Sequence, residues 1–179
     1  MGEIKPQKPV KLFVGFISNE VPLIEEVGSL LSKKFGAVGI QTNIWDFSFT
    51  TYYNKEMGEG LKRKFLTFED LISVENSEAI KLFTNKVEEE FSGPGKGKRR
   101  INIDPGYLSL GKLVLLTTKD YYHRIYLGRG IYAEATLYYK GDSFRALEWT
   151  YPDYKTKEYI DFFNGVRKGY SEQLKALKC

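Results

Sequence analysis

Lys11–Ile17 reads KLFVGFI, a run with one charge at its start and no other polar side chain. A strand with one wet face alternates apolar and polar residues, so a continuous run of this length predicts a strand covered on both faces. Ser18 or Asn19 can cap a helix directly after it. The apolar residues Leu23, Val27, Leu30, Leu31 and Phe35 fall at helical spacing, and Gly36 supplies the stop. From Gly39 to Tyr53 the pattern alternates. Trp45, Phe47, Phe49 and Thr51 share one face and Asp46, Ser48 and Thr50 the other, which predicts a long, half-exposed strand. Asn54–Gly60 turns the chain, and Arg63–Phe68 pairs back as a further strand. Asn76 or Ser77 can cap a second helix with the stripe Ile80, Phe83, Val87 and Phe91.

Beyond this, Ser92–Arg100 (SGPGKGKRR) opposes both helix and strand and is a loop. Five segments of strand character follow: Arg100–Asp104, Lys112–Thr118, Arg124–Leu127, Ile131–Lys140 and Phe144–Thr150. A last helix covers about Tyr154–Leu177. Its residues Tyr159, Phe163, Val166, Tyr170, Leu174 and Leu177 form one seam, read as core, with a homodimer interface as the alternative. The order β, α, β, β, α, β, then more strands and a helix, predicts an α+β fold with an antiparallel or mixed sheet. Its start is that of a ferredoxin-like βαββαβ unit. Helices are expected mainly on one face, with the other partly open or covered by the later hairpins. Residues 1–9 read as a flexible tail and 10–179 as a single domain.

Composition narrows the function classes. Hydrophobic residues make up 42% of the 179, enough for a core, and nothing near the N-terminus resembles a secretory signal or a membrane span. The single cysteine, Cys179, excludes a disulfide within this chain and a cysteine metal site. The single histidine, His123, excludes a two-histidine metal centre. A cytoplasmic location is expected, without a membrane partner. The net charge of +4 permits a small anionic ligand and does not demand nucleic acid.

The candidate chemistry lies in the second half. In INIDPGY (101–107), Ile101 and Ile103 share one face, with Arg100, Asn102 and Asp104 on the other. In the same way Tyr132, Glu134, Thr136 and Tyr138 are expected to face outward from Ile131, Ala133, Ala135 and Leu137. Two neighbouring strands would then give one surface both carboxylates for acid–base work, with Asp104 or Glu134 as base. The alternative is a solvated sheet face with Asp104 in an Asx turn. Thr117–Gly130 concentrates Lys119, His123, Arg124 and Arg129. The cations can hold phosphate or carboxylate, and His123 can shuttle a proton or sit in the core beside Ile125 and Leu127.

Two other stretches carry less. Gly106–Lys112 (GYLSLGK) matches a phosphate-binding loop for seven positions, but Leu113 replaces the magnesium-binding hydroxyl, and a strand, VLLTT, follows instead of a helix. In Glu148–Tyr154 (EWTYPDY), Asp153 reads as a helix N-cap, while Trp149, Tyr151 and Tyr154 can stack on a planar ligand or pack the junction.

The segments NIDPGYL, KLVLLTTKDYYHRIYLGRGIYAEATL, LEWTYPDY and YIDFFNGVRKGY together resemble the uncharacterised prokaryotic family catalogued as domain of unknown function 4416. The resemblance implies a stand-alone prokaryotic protein and brings no activity, cofactor or catalytic residue with it. Three functions are therefore expected to compete. The first is a protein that binds, or transforms, a small anionic or nucleotide-like ligand on the polar sheet face. The second is an RNA-binding module using the basic loop and exposed tyrosines, and the third a structural or interaction protein.

Overall fold

The structure, a computed structural model, describes residues 2–93 and 98–177. In chain order the elements are β1 (Val10–Ser18), α1 (Val21–Phe35), β2 (Val38–Gln41), β3 (Trp45–Asp46), the short α2 (Asn54–Met57), β4 (Lys62–Ile72), α3 (Glu78–Glu90) and β5 (Asn102–Leu108). They continue with β6 (Lys112–Thr117), β7 (Ile125–Gly128), β8 (Ile131–Lys140), β9 (Ser143–Ala146), a 3-10 turn at Asp153–Lys155 and α4 (Lys157–Ala176). The strands form one sheet in the order β2-β4-β1-β5-β6-β8-β7, with β3 on β4 and β9 on β8. Every pairing is antiparallel. The fold is thus α+β, with a large antiparallel sheet and a C-terminal helix.

The continuous apolar run of β1 has its expected cause, for every residue of the strand is buried. Leu12, Val14 and Phe16 pack under α1 and α3 with Leu23, Ile24, Val27, Leu31 and Val87. Phe13 points the other way, into a second core with Phe65, Leu113, Leu137, Tyr159, Phe163 and Tyr170. Helices therefore cover both faces, and the expectation of one helical face is corrected. The seam of α4 is apolar enough to roof the second face by itself. Tyr159, Phe163, Val166, Tyr170 and Leu174 are buried within the chain, so the seam needs no second copy to cover it. Leu177 lies past the helix and is exposed.

Two irregularities shape the sheet. The long strand expected at Gly39–Tyr53 breaks into β2 and β3. Thr42 leaves the ladder pattern because its hydroxyl accepts from Phe65 N at 2.9 Å, so a side chain replaces a backbone partner. The second irregularity separates β5 from β6. These strands pair only where Gly106–Leu108 meets Leu113–Leu115, and they diverge beyond, at Pro105, which has no N–H to donate. Side chains of α3 take over there: Lys81 donates to Ile103 O at 2.8 Å, and Glu88 accepts from Ile103 N at 2.7 Å. The backbone is satisfied while the sheet opens as a wedge. Lys112 begins β6, so the glycine-rich run joins two strands of a hairpin and opens no helix. Among the described residues, no helix is long and apolar enough to cross a membrane.

Phe163 is the centre of the roof, 5.0 Å from the Phe13 ring and 5.9 Å from that of Tyr154. Phe163→Ala is expected to cost about 3–5 kcal/mol in denaturant unfolding. A loss below about 1 kcal/mol, the size of an ordinary surface change, would contradict this placement.

Candidate functional site

The polar side chains on the α4 face form a cross-strand row. Arg63 of β4 stands opposite Ile17 of β1, which stands opposite Asn102 of β5. One step along, Phe65 faces Gly15 and Gly15 faces Asp104. Gly15 makes the row possible. A Cβ there would lie 2.7 Å from the Phe65 ring and 2.9 Å from Arg63 Nη1. Through that gap the buried Arg63 guanidinium reaches across β1. Its Nη2 donates to Asp153 at 2.6 Å and its Nε to the Tyr159 hydroxyl at 3.2 Å. Its Nη1 lies 3.5 Å from Asp104 Oδ2, too poorly aligned for a hydrogen bond. The Phe47 and Phe65 rings flank the cation at 5.1 and 4.9 Å.

Beyond the N-terminus of α4 this face is not roofed, and a cavity of about 460 Å³ lies over the wedge. Its floor is Ile17, Arg63, Asp104, Leu115, Thr117 and Glu134; Phe47, Phe49, Tyr52 and Tyr53 line one side, Tyr151 and Tyr154 the other. Lys119 lines it too and is exposed, which puts its ammonium at the rim, 3.2 Å from the Tyr52 hydroxyl and 4.4 Å from that ring.

One arginine holds this side of the cavity together. Arg124 donates through Nε to Glu134 Oε2 at 2.8 Å, through Nη1 to Lys119 O at 2.9 Å and through Nη2 to the Tyr151 hydroxyl at 2.7 Å. Glu134 is buried and also accepts from His123 Nε2 at 3.0 Å. His123 lies stacked on Trp149, 4.9 Å between centroids, and not on an apolar strand face; Ile125 and Leu127, with which it was expected to pack, are exposed. Glu134 shares the sheet face of Asp104, as its parity suggested, but it is buried and not solvated. A bulge between Leu113 and Val114 shifts the phase beyond Ala135, so Leu137, expected on the opposite face, joins that of Glu134, and Thr136 is buried.

Of the residues singled out from the sequence, Asp104, Glu134, Lys119, Tyr151, Asp153 and Tyr154 thus line one cavity, with Arg124 and His123 directly behind Glu134. Arg100, Asn102, Arg129 and Tyr132 lie elsewhere. Arg100 pairs with Glu20 at the surface. Asn102 gives its carbonyl to Arg99 Nη1 at 2.9 Å. Arg129 occupies the β7–β8 turn at φ 55°, and Tyr132 packs on Tyr126, with centroids 5.1 Å apart. Arg63, Tyr53 and the partnership of Asp153 escaped the sequence reading. Asp153 is no N-cap: Thr156 fills that role by accepting from Tyr159 N, and Asp153 is buried against Arg63. The signal for Arg63 was its parity with Phe65, a charge in a row otherwise buried.

Fold and cavity together define a class: an α+β protein with one antiparallel sheet, roofed by helices on both faces and open over an aromatic-walled cleft. The chain belongs to the family described as Domain of unknown function (DUF4416), whose model matches residues 8–170. No curated protein and no solved structure matches the chain.

The phenols around Arg63 resist ionisation. Burial raises Tyr159 from 10.0 to about 12, partly offset by the Arg63 charge. Burial and then the Asp104 charge raise Tyr53, and burial and then the Glu134 charge raise Tyr151. Between pH 10 and 12 the folded chain therefore keeps a Tyr159 proton that the unfolded chain has lost. Stability is expected to fall as pH rises through that window, with less of a fall in Tyr159→Phe. Unfolding midpoints across the window check this, and equal slopes in the two proteins would refute the assignment.

Proposed function

We propose that this chain binds, and with Asp104 as base transforms, a small nucleotide-like ligand in the cavity over the β5–β6 wedge. One observation carries the reading. Asp104 is part-exposed on the cavity floor, has Arg63 Nη1 at 3.5 Å and takes no hydrogen bond from the described residues, whereas Glu134 and Asp153 on the same lining are hydrogen-bonded by arginine. An acceptor kept within a cleft with its hydrogen-bonding capacity free is what a ligand hydroxyl or N–H requires, and a proton-abstracting carboxylate needs the same freedom. The walls suit a planar or ring-shaped partner, because Tyr and Phe faces stack without demanding a particular polar pattern.

The start of the chain supports a finer reading of the scaffold. The strand order β2-β4-β1-β5, with α1 and α3 as crossovers, fits a ferredoxin-like βαββαβ unit. On this reading β6–β9 and α4 are additions that build the cavity's far wall and roof. The RNA-binding alternative draws on the exposed Tyr121, Tyr122 and Tyr126. Its cations serve it less well. Arg99 is engaged by Glu56 and Glu88 and Arg100 by Glu20, while Lys96 of the basic loop lies outside the described residues. The small-ligand reading is therefore preferred.

A thermal-shift screen of nucleotides, sugar phosphates and small acids tests it. A ligand at about 100 times its Kd adds roughly 2.7 kcal/mol and raises Tm visibly. Asp104→Asn is expected to remove the shift, read against the variant's own unliganded Tm, which falls because the buried Arg63 loses one of its charge partners. Shifts equal in wild type and variant would refute the site.

A further inference from the structure

The charges of the cavity are ordered with depth, and the order restricts which end of a ligand can enter. Asp104, Glu134 and Asp153 line the interior. Against these three carboxylates stand two guanidinium groups. Arg63 is engaged by Asp153 and lies beside Asp104, and Arg124 is spent on Glu134, Lys119 O and Tyr151. Among these five groups one carboxylate is left over, and the His123 ring is also set against Glu134. A phosphate placed there would meet three carboxylates, and among the described residues the buried cation it would find, Arg63, is already set against Asp153 and Asp104, with its Nη1 left without a hydrogen bond. At the rim the sign reverses. Among the described lining residues, Lys119 is the exposed cation, and its backbone is fixed by the Arg124 bond.

The interior suits hydroxyl groups. Asp104 is an acceptor without a hydrogen-bond donor among the described residues. The Tyr151 hydroxyl accepts from Arg124, which leaves its own hydrogen available to a ligand, since a phenol stays protonated at neutral pH. A ligand hydroxyl can donate to a carboxylate and accept from a phenol at once. Tyr52 and Tyr53, with rings 5.1 Å apart, supply apolar faces for the ring that bears it.

Resting on the small-ligand reading above, we infer that the cavity takes a phosphomonoester of a hydroxylated ring, hydroxyls inward and phosphate at the Lys119 rim. Arg124 is a positioning residue on this account. It contacts no ligand and sets Lys119, Glu134 and Tyr151 in their places.

The test compares adenosine monophosphate and ribose phosphate with adenosine, ribose and inorganic phosphate, titrated into the full chain by calorimetry. Both esters are expected to bind more tightly than their unphosphorylated parents by about two- to fivefold, the worth of one exposed ion pair. Lys119→Met should erase that margin, taken as the ratio of ester to parent affinity in the same protein, and high salt should shrink it. Asp104→Asn should weaken esters and parents alike, and inorganic phosphate alone should not bind. Arg124→Lys is expected to reduce the margin without altering the contribution of Asp104. The inference is overturned if inorganic phosphate binds as tightly as the esters. It is equally overturned if Lys119→Met weakens parents and esters equally, or if no ester binds. In the first two cases, loss of binding in Asp104→Asn would still uphold the cavity as a ligand site. If no compound in the wider screen depends on Asp104, the reading of the site fails as well.

Discussion

A guanidinium with almost no access to water must be paired, and Arg63 is paired across three pieces of the chain. Removing a charge from water costs several kcal/mol, and only well-placed partners recover it. Here the partners are Asp153 from the turn before α4, the Tyr159 hydroxyl from the first turn of that helix, and Asp104 from β5. The same contacts that compensate the burial also fix where α4 starts. Because the helix begins at Lys157 and not earlier, the sheet face beyond it stays unroofed, and the cavity exists.

Two small features make room for that cation. Gly15 leaves open the space above β1 that any side chain would take from Arg63 Nη1. Pro105 ends the pairing of β5 with β6, and Lys81 and Glu88 satisfy the backbone left behind. Both changes remove something, a Cβ in one case and an N–H in the other. Together they place Asp104 at the edge of an opening instead of inside a continuous ladder.

The legible part of the fold was whatever local periodicity controls. KLFVGFI announced a strand buried on both faces, and the seam from Tyr159 to Leu174 announced a helix with one apolar side. Placing that helix on the second face was not legible, because nothing in a helical stripe says which sheet surface it covers. Asp104, Glu134 and Lys119 were found by parity and by charge in a loop. Parity misplaced Leu137, which shares the face of Glu134, because a bulge is an event between two strands, invisible in either one alone. Arg63 and Asp153 are 90 residues apart, and each has a sound local reading, a strand charge and a helix cap. Only tertiary pairing overrides both.

The account stands or falls on whether the Arg63–Asp153 pair holds the cavity's wall in place. Hydrogen exchange of Asp153→Ala against the unaltered chain tests this directly. Loss of the pair is expected to reduce amide protection at 151–156 and in the facing 47–53 segment, while β1 and β5 keep theirs. Unchanged protection in both segments, or an even loss over the whole sheet, would contradict it.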